Sequence, residues 1–345
     1  MKILHIIFTM KTGGLENLLL DIANAQAAQG HQVAVMIVNS GSEAALLQRF
    51  APEIKIIQIG RHAGSRNPIP LIRVNVEVLK WKPDVIHVHN ETGVNILLPG
   101  LRRKVVQTIH TTGINLTGCQ LRTPIAAISE GVAADLKAHC GVDAEVIMNG
   151  VQTDTIRHRS RSPKLERLVC VGRMNVSVKG QDLLLKAMPY FPELSLTLIG
   201  DGADLEAMKE LAVSLGIADR VTFCGAMARG DIYQKLADFD AFVLPSRQEG
   251  FGLVAAEAMA AGLPIVSVDL PGPMEIIAGG ELGYSFKADD VDSLVAAIKA
   301  LDNEWTAAQE RALSVGLDYV RANFSVATTA ARYLELYHRH RAVNE

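Results

Sequence analysis

Ala241-Phe-Val-Leu-Pro-Ser-Arg-Gln-Glu-Gly-Phe-Gly-Leu-Val-Ala-Ala-Glu-Ala-Met-Ala-Ala-Gly-Leu-Pro-Ile-Val-Ser-Val268 reads as one strand–helix–strand unit. The apolar run 241–244 stops at Pro245, Gly250 and Gly252 permit close packing at the turn, and an Ala/Met-rich helix runs over 253–261. Gly262 and Pro264 then break the helix before a second apolar run, 264–268. The same alternation fills nearly the whole chain, which is the pattern of an α/β fold built on parallel sheets. Further strands are expected at 3–8, 32–38, 54–59, 85–88, 105–109, 125–128, 145–147, 168–171, 195–199 and 221–223. Helices are expected at 15–29, 70–81, 181–188, 203–215, 230–237 and 291–301.

A chain of 345 residues, 49% hydrophobic and 21% charged, is long enough for two domains, each with its own core. The polar, basic stretch 152–166 has no apolar period and reads as the linker between them. The expected division is 1–155 with a returning helix 325–345, and 165–322. A formal net charge of −3 argues against a dedicated nucleic-acid binder. Cys119, Cys140, Cys170 and Cys224 lack metal or redox spacing and read as small core residues of a reducing compartment, so the expected location is cytoplasmic. The N-terminal Met1-Lys-Ile-Leu-His-Ile-Ile-Phe8 reads as a first strand rather than a signal peptide, and no long uncharged apolar window suggests a membrane span.

Three segments carry candidate chemistry. Gly13 and Gly14 follow the first strand and open a helix, where backbone N–H groups and the helix dipole favour an anion; a plain tight turn is the alternative. The third glycine of a dinucleotide fingerprint is missing, which disfavours a nicotinamide cofactor. Gly172-Arg173 and Lys179-Gly180 place two cations after another strand, suited to a diphosphate. Glu249 is expected beside a glycine turn and Glu257 inside the apolar helix, where a carboxylate needs a hydrogen-bonding or basic partner. His87 and His89 share a strand face and could suggest a metal, or be structural or acceptor-side residues. Asp238-Phe-Asp240 mimics a metal-binding D-x-D but reads as a helix cap and strand start.

Taken in order, Gly13-Gly14-x-Glu16, Asn149-Gly150-Val151, Gly172-Arg173…Lys179-Gly180, Gly200-Asp201-Gly202 and Glu249-x7-Glu257 resemble the retaining glycosyltransferases of family 4, across essentially the whole chain. The resemblance implies the GT-B fold: two facing Rossmann-like domains with a cleft between them and a C-terminal helix crossing back. It implies that Arg173 and Lys179 hold a donor diphosphate and that Glu257 takes the ribose hydroxyls. Glu249, with the backbone of Gly250, Phe251 and Gly252, would meet the transferred sugar, and Gly14 the phosphate. Gly13, Gly172, Gly200 and Leu253 would line the donor, Cys224, Gly225 and Ala226 the base, and His110 the donor sugar. Gln152 departs from the family's usual acidic residue at that position.

The activity so implied is metal-independent transfer of a hexosyl unit, with retention, from a nucleoside diphosphate sugar. A UDP-hexose is the expected donor and a glycan or lipid-linked glycan of the cell envelope or lipopolysaccharide the expected acceptor. No cofactor and no nucleic-acid partner are expected. Peripheral attachment to the inner membrane face is the hypothesis, with Arg61–Arg66, Lys80-Trp-Lys82 and Leu101–Lys104 as candidate contacts. An epimerase or phosphorylase of the same fold, or a catalytically silent sugar-nucleotide-binding subunit, are the alternatives.

Overall fold

The computed structural model describes every residue except Thr12 and Glu345, the latter being the end of the expected helix 325–345. The chain divides into two compact units: Met1–Gly150 with the last helix, Val326–Asn344, and Val151–Ser325.

The first unit is a seven-stranded parallel sheet of β1 (Lys2–Ile7), β2 (Gln32–Asn39), β3 (Lys55–Arg61), β4 (Val85–Val88), β5 (Val105–Ile109), β6 (Ile125–Ala127) and β7 (Glu145–Val146), in the order β3-β2-β1-β4-β5-β6-β7. Helices cover both faces, so its central strands are apolar on both sides: Ile3, Leu4, Ile6 and Ile7 of β1 are all buried. Leu4, Met36 and Ile86 pack with Val74 and Val78 of the helix Ile69–Trp81. Leu19 and Leu20 of the helix Gly14–Ala28 pack with Val35 and Ile37. Tyr333 and Tyr337 bring the last helix into the core formed by Ile3, Val85 and Val106.

The second unit holds β8 (Arg167–Val171), β9 (Ser195–Ile199), β10 (Val221–Phe223), β11 (Ala241–Leu244), β12 (Ile265–Val268) and β13 (Tyr284–Phe286), all parallel, in the order β10-β9-β8-β11-β12-β13. Its core gathers Leu168, Leu184, Leu196, Val243, Val266 and Leu294. β13 was not expected; it has three residues and one buried side chain, Phe286, too little to show a period. In both sheets the winding reverses beside the first strand, between β1 and β4 and between β8 and β11, and such switch points open a crevice at the strands' carboxyl ends.

Two expectations change. The polar stretch 152–166 is not a free linker, because it is built into the second unit. Arg157 and Arg159 donate backbone N–H groups to Tyr233 and Ala261, Ser162 bonds Gln309 and Trp305, and Ile156 and Leu165 are buried. Its charges hid these contacts because their partners are remote in sequence. Of the four thiols only Cys170 is buried, so the other three are not core residues. No helix among the described residues is long and apolar enough to cross a membrane.

Candidate active site

In the second unit the segments after β8, β9, β10 and β11 are bonded to one another, and they carry the candidates predicted for that half of the chain, Leu253 and Glu257 on the helix that follows β11 and the others ahead of it. Met174 N–H donates to Asp201 at 3.0 Å and Val176 N–H to Asp204 Oδ2 at 2.7 Å, joining the first two loops. Gly200 and Gly225 pair at 2.8 Å, bringing in the Cys224–Ala226 segment. Gly180, at φ +63°, lies so close to β11 that an added Cβ would sit 2.0 Å from the Pro245 carbonyl oxygen; only glycine fits there.

Lys179 and Glu249 meet at the β8/β11 switch point, Nζ to Oε2 at 2.7 Å, with both side chains mostly shielded from solvent. Ser246 Oγ donates to the same oxygen at 3.4 Å. Arg173 is exposed at the end of β8, and its carbonyl is fixed by Gln181 Nε2 at 2.9 Å. Sequence reasoning missed the residue that clamps these loops. Arg247 donates to Asp182 at 2.6 and 3.1 Å, to the Val176 carbonyl at 2.7 Å and to Asp289 at 2.5 Å. One guanidinium thereby fixes the segment carrying Lys179 to the loop carrying Glu249.

Glu257 is buried in the helix Leu253–Ala260 and does have the partners its position demands. Arg229 Nε donates to Oε1 at 3.0 Å and Tyr233 OH to the same atom at 2.9 Å. Gly252 opens this helix at φ +98°, while Phe251 turns its ring into the core against Phe324, leaving only its backbone for a ligand. Asp238 and Asp240 lie at the opposite end of β11. Asp238 pairs with Arg157; Asp240, fully buried, accepts from Arg167 Nε and Nη2 at 3.1 and 3.0 Å and from its backbone N–H at 2.9 Å. Those bonds make this D-x-D structural.

The first unit carries Gly13 and Gly14 at the start of the helix after β1, and His110 directly after β5. A side chain at Gly13 would collide with Glu16 Oε2 at 2.4 Å. Behind them lies a buried network. His5 faces His87 across the β1/β4 pair; His5 Nδ1 meets His89 Nε2 at 3.0 Å and His5 Nε2 meets Gln26 at 2.8 Å. His87 uses one nitrogen on Thr108 at 2.7 Å and the other on Tyr337 at 2.5 Å. The ring nitrogens of His5, His87 and His89 lie within 4.8 Å of one another, close enough to consider a metal. Yet both nitrogens of His5 and His87 are spent on hydrogen bonds, and among the described residues no carboxylate joins the three rings to offset an ion's charge. The cluster fits a neutral structural network.

Burial lowers His5 and His110 from 6.5 to about 4, and holds His87 and His89 well below 6.5. The unfolded chain therefore binds more protons than the folded one between those values, and stability must fall as pH drops from 6.5 towards 4. A shift of this size is worth about 3 kcal/mol per histidine at its limit. His5→Gln is expected to make the decline of Tm between pH 7 and pH 5 shallower than in wild type, read by thermal melts. Parallel declines would show that His5 does not couple folding to protonation.

Two family models meet end to end on the chain: "Glycosyltransferase Family 4" over residues 12–155 and "Glycosyl transferases group 1" over residues 152–312. A phosphatidyl-myo-inositol mannosyltransferase of Mycobacterium leprae is 26% identical, covering 94% of this chain and 92% of its own. A GDP-mannose-dependent alpha-(1-6)-phosphatidylinositol monomannoside mannosyltransferase of Mycolicibacterium smegmatis is 31% identical over 49% of this chain and 47% of its own. Among solved structures, Anabaena Alr3699/HepE in complex with UDP superposes with a TM-score of 0.81 at 22% identity, over 98% of this chain and all of that one. The two Rossmann-like units are those of the GT-B fold.

Proposed function

Because this chain belongs to the group 1 glycosyltransferases of family 4, we propose that its second unit binds a nucleoside diphosphate hexose and that the enzyme passes the hexosyl group, with retention, to a glycan or lipid-linked glycan of the cell envelope. The observation that carries this reading is the convergence of Arg173 and the Lys179–Glu249 pair on the β8/β11 switch point. Transfer breaks the bond between the sugar's anomeric carbon and the phosphate oxygen, leaving new negative charge on the diphosphate. Arg173 and Lys179 supply positive charge where it develops, without a metal. The acceptor hydroxyl attacks from the face the diphosphate leaves, and its proton passes to the departing phosphate oxygen; no protein nucleophile is needed.

Glu249 positions the sugar and Lys179 together, while Glu257, oriented by Arg229 and Tyr233, accepts from the ribose hydroxyls. The backbone of Gly172, Gly200 and Gly250–Leu253 lines the donor, and Cys224–Ala226 faces the base. A uridine base fits the ligand of the Anabaena structure, whereas one mannosyltransferase relative is named for GDP-mannose. A thermal-shift panel of UDP- and GDP-hexoses separates the two. One donor is expected to raise the Tm of wild type, with the shift abolished in Glu257→Ala and unaffected by chelator. Equal shifts in wild type and Glu257→Ala would refute the ribose assignment; loss with chelator would refute metal independence.

A further inference from the structure

Lys179 ends a four-residue helical turn, Val176–Lys179, none of whose side chains is buried. With no apolar anchor, the turn takes its position from hydrogen bonds. Arg247 supplies them on both sides of the lysine. Its Nη1 donates to the Val176 carbonyl at 2.7 Å, three residues before Lys179, and Nη1 and Nη2 donate to Asp182 at 2.6 and 3.1 Å, three residues after it. The backbone N–H groups of Arg247 and Gln248 reach the Val178 carbonyl at 2.9 and 3.1 Å. Nε donates to Asp289 at 2.5 Å, and the backbone of Asp289 is held at φ +59°, a left-handed conformation uncommon for a residue with a side chain. Such a conformation persists where the surroundings over-determine it, and here the carboxylate it presents completes the grip on Arg247.

We propose that Arg247 is a positioning residue for the transfer: by bracketing the turn it holds the Lys179 amine against the departing diphosphate, a role that rests on the donor-site reading of Lys179. Arg247 does not act as a third cation on the donor. Four of its five N–H donors are used on these contacts, and its charge is set against Asp182 and Asp289. Position is what it contributes, and a displacement of about 1 Å at a reacting group can cost on the order of a hundredfold in rate. The two acids differ in weight: the Asp182 side chain is 10% exposed and that of Asp289 62%, so solvent screens the second contact more than the first. Asp182 also binds Lys186 at 2.8 Å, one turn along the helix Gln181–Ala187, so loss of Arg247 does not strand a bare carboxylate.

The test is a double-mutant cycle on slow hydrolysis of a UDP- or GDP-hexose, read as kcat, with amide hydrogen exchange over residues 176–182 measured alongside. Arg247→Gln is expected to lower kcat about ten- to a hundredfold with Tm little changed. In the Lys179→Ala background the same substitution is expected to cost nothing further, because it acts through the missing amine. Arg247→Lys keeps the charge without the fork and is expected to recover little. Asp289→Asn, at the exposed end of the grip, should give a smaller loss that also vanishes without Lys179, and it serves if Arg247→Gln does not fold. Losses that multiply in the double variant, wild-type turnover in Arg247→Lys, or a kcat within a few-fold of wild type in Arg247→Gln would each overturn the proposal. Exchange over 176–182 should quicken in Arg247→Gln with no donor present; unchanged exchange would overturn it as well. Faster exchange beside a wild type that hydrolyses no donor would support the bracket while counting against the transferase reading.

Discussion

Lys179→Ala is expected to lower turnover about a hundred- to a thousandfold with the protein still folded. The Lys179 side chain retains 28% exposure and lies outside the cores, so little packing is lost, and the proposed function sets its amine against the leaving diphosphate. Removing one such electrostatic contact from a preorganised site costs roughly 3 to 4 kcal/mol in the transition state. A second effect adds to the first: Glu249, no longer neutralised, presents a bare carboxylate to an anionic donor. Lys179→Ala/Glu249→Gln should therefore recover part of the donor affinity lost in Lys179→Ala, but not the turnover. Steady-state kinetics separate the two, KM reporting the repulsion and kcat the missing charge. A kcat within a few-fold of wild type would show that Lys179 does not face the leaving group.

Asp240→Ala carries the largest expected loss of stability. Its carboxylate is fully buried and bonded by Arg167, with Arg159 3.5 Å away; Arg159 is itself buried, with its plane over Trp305. Deleting the acid strands a guanidinium that burial already disfavours in its charged form. Breaking a buried pair from one side costs about 3 to 5 kcal/mol, enough to consume much of a domain's stability. Urea melts should show the midpoint falling with little change in slope. Arg159→Met in the same background should restore part of the loss, because the stranded charge is then gone. A single substitution that melts like wild type would mean the pair is already hydrated.

Much of this architecture is visible in the residues themselves. The strands are buried on both faces and read as apolar runs, and Gly13, Gly180, Gly250 and Gly252 mark where loops turn or approach one another closely. Arg173, Lys179, Glu249 and Glu257 were visible because charge in or beside apolar segments requires a reason. What stayed hidden are partners joined only by folding. Tyr337 reaches His87 from 250 positions away, and Arg247 clamps Asp182 from 65. Arg229 and Tyr233 look like ordinary residues of an amphipathic helix until the helix sets them against Glu257. The stretch 152–166 was misread because its charges pair with residues far along the chain.

The most direct test of the proposed chemistry is the anomer first released when a UDP- or GDP-hexose turns over slowly on water, followed by proton NMR before mutarotation. Retaining transfer predicts that wild type releases the hexose with the donor's own configuration, and that Lys179→Ala releases it at least about a hundredfold more slowly. Release of the opposite anomer, or equal rates in wild type and Lys179→Ala, would contradict a retaining site built on Lys179.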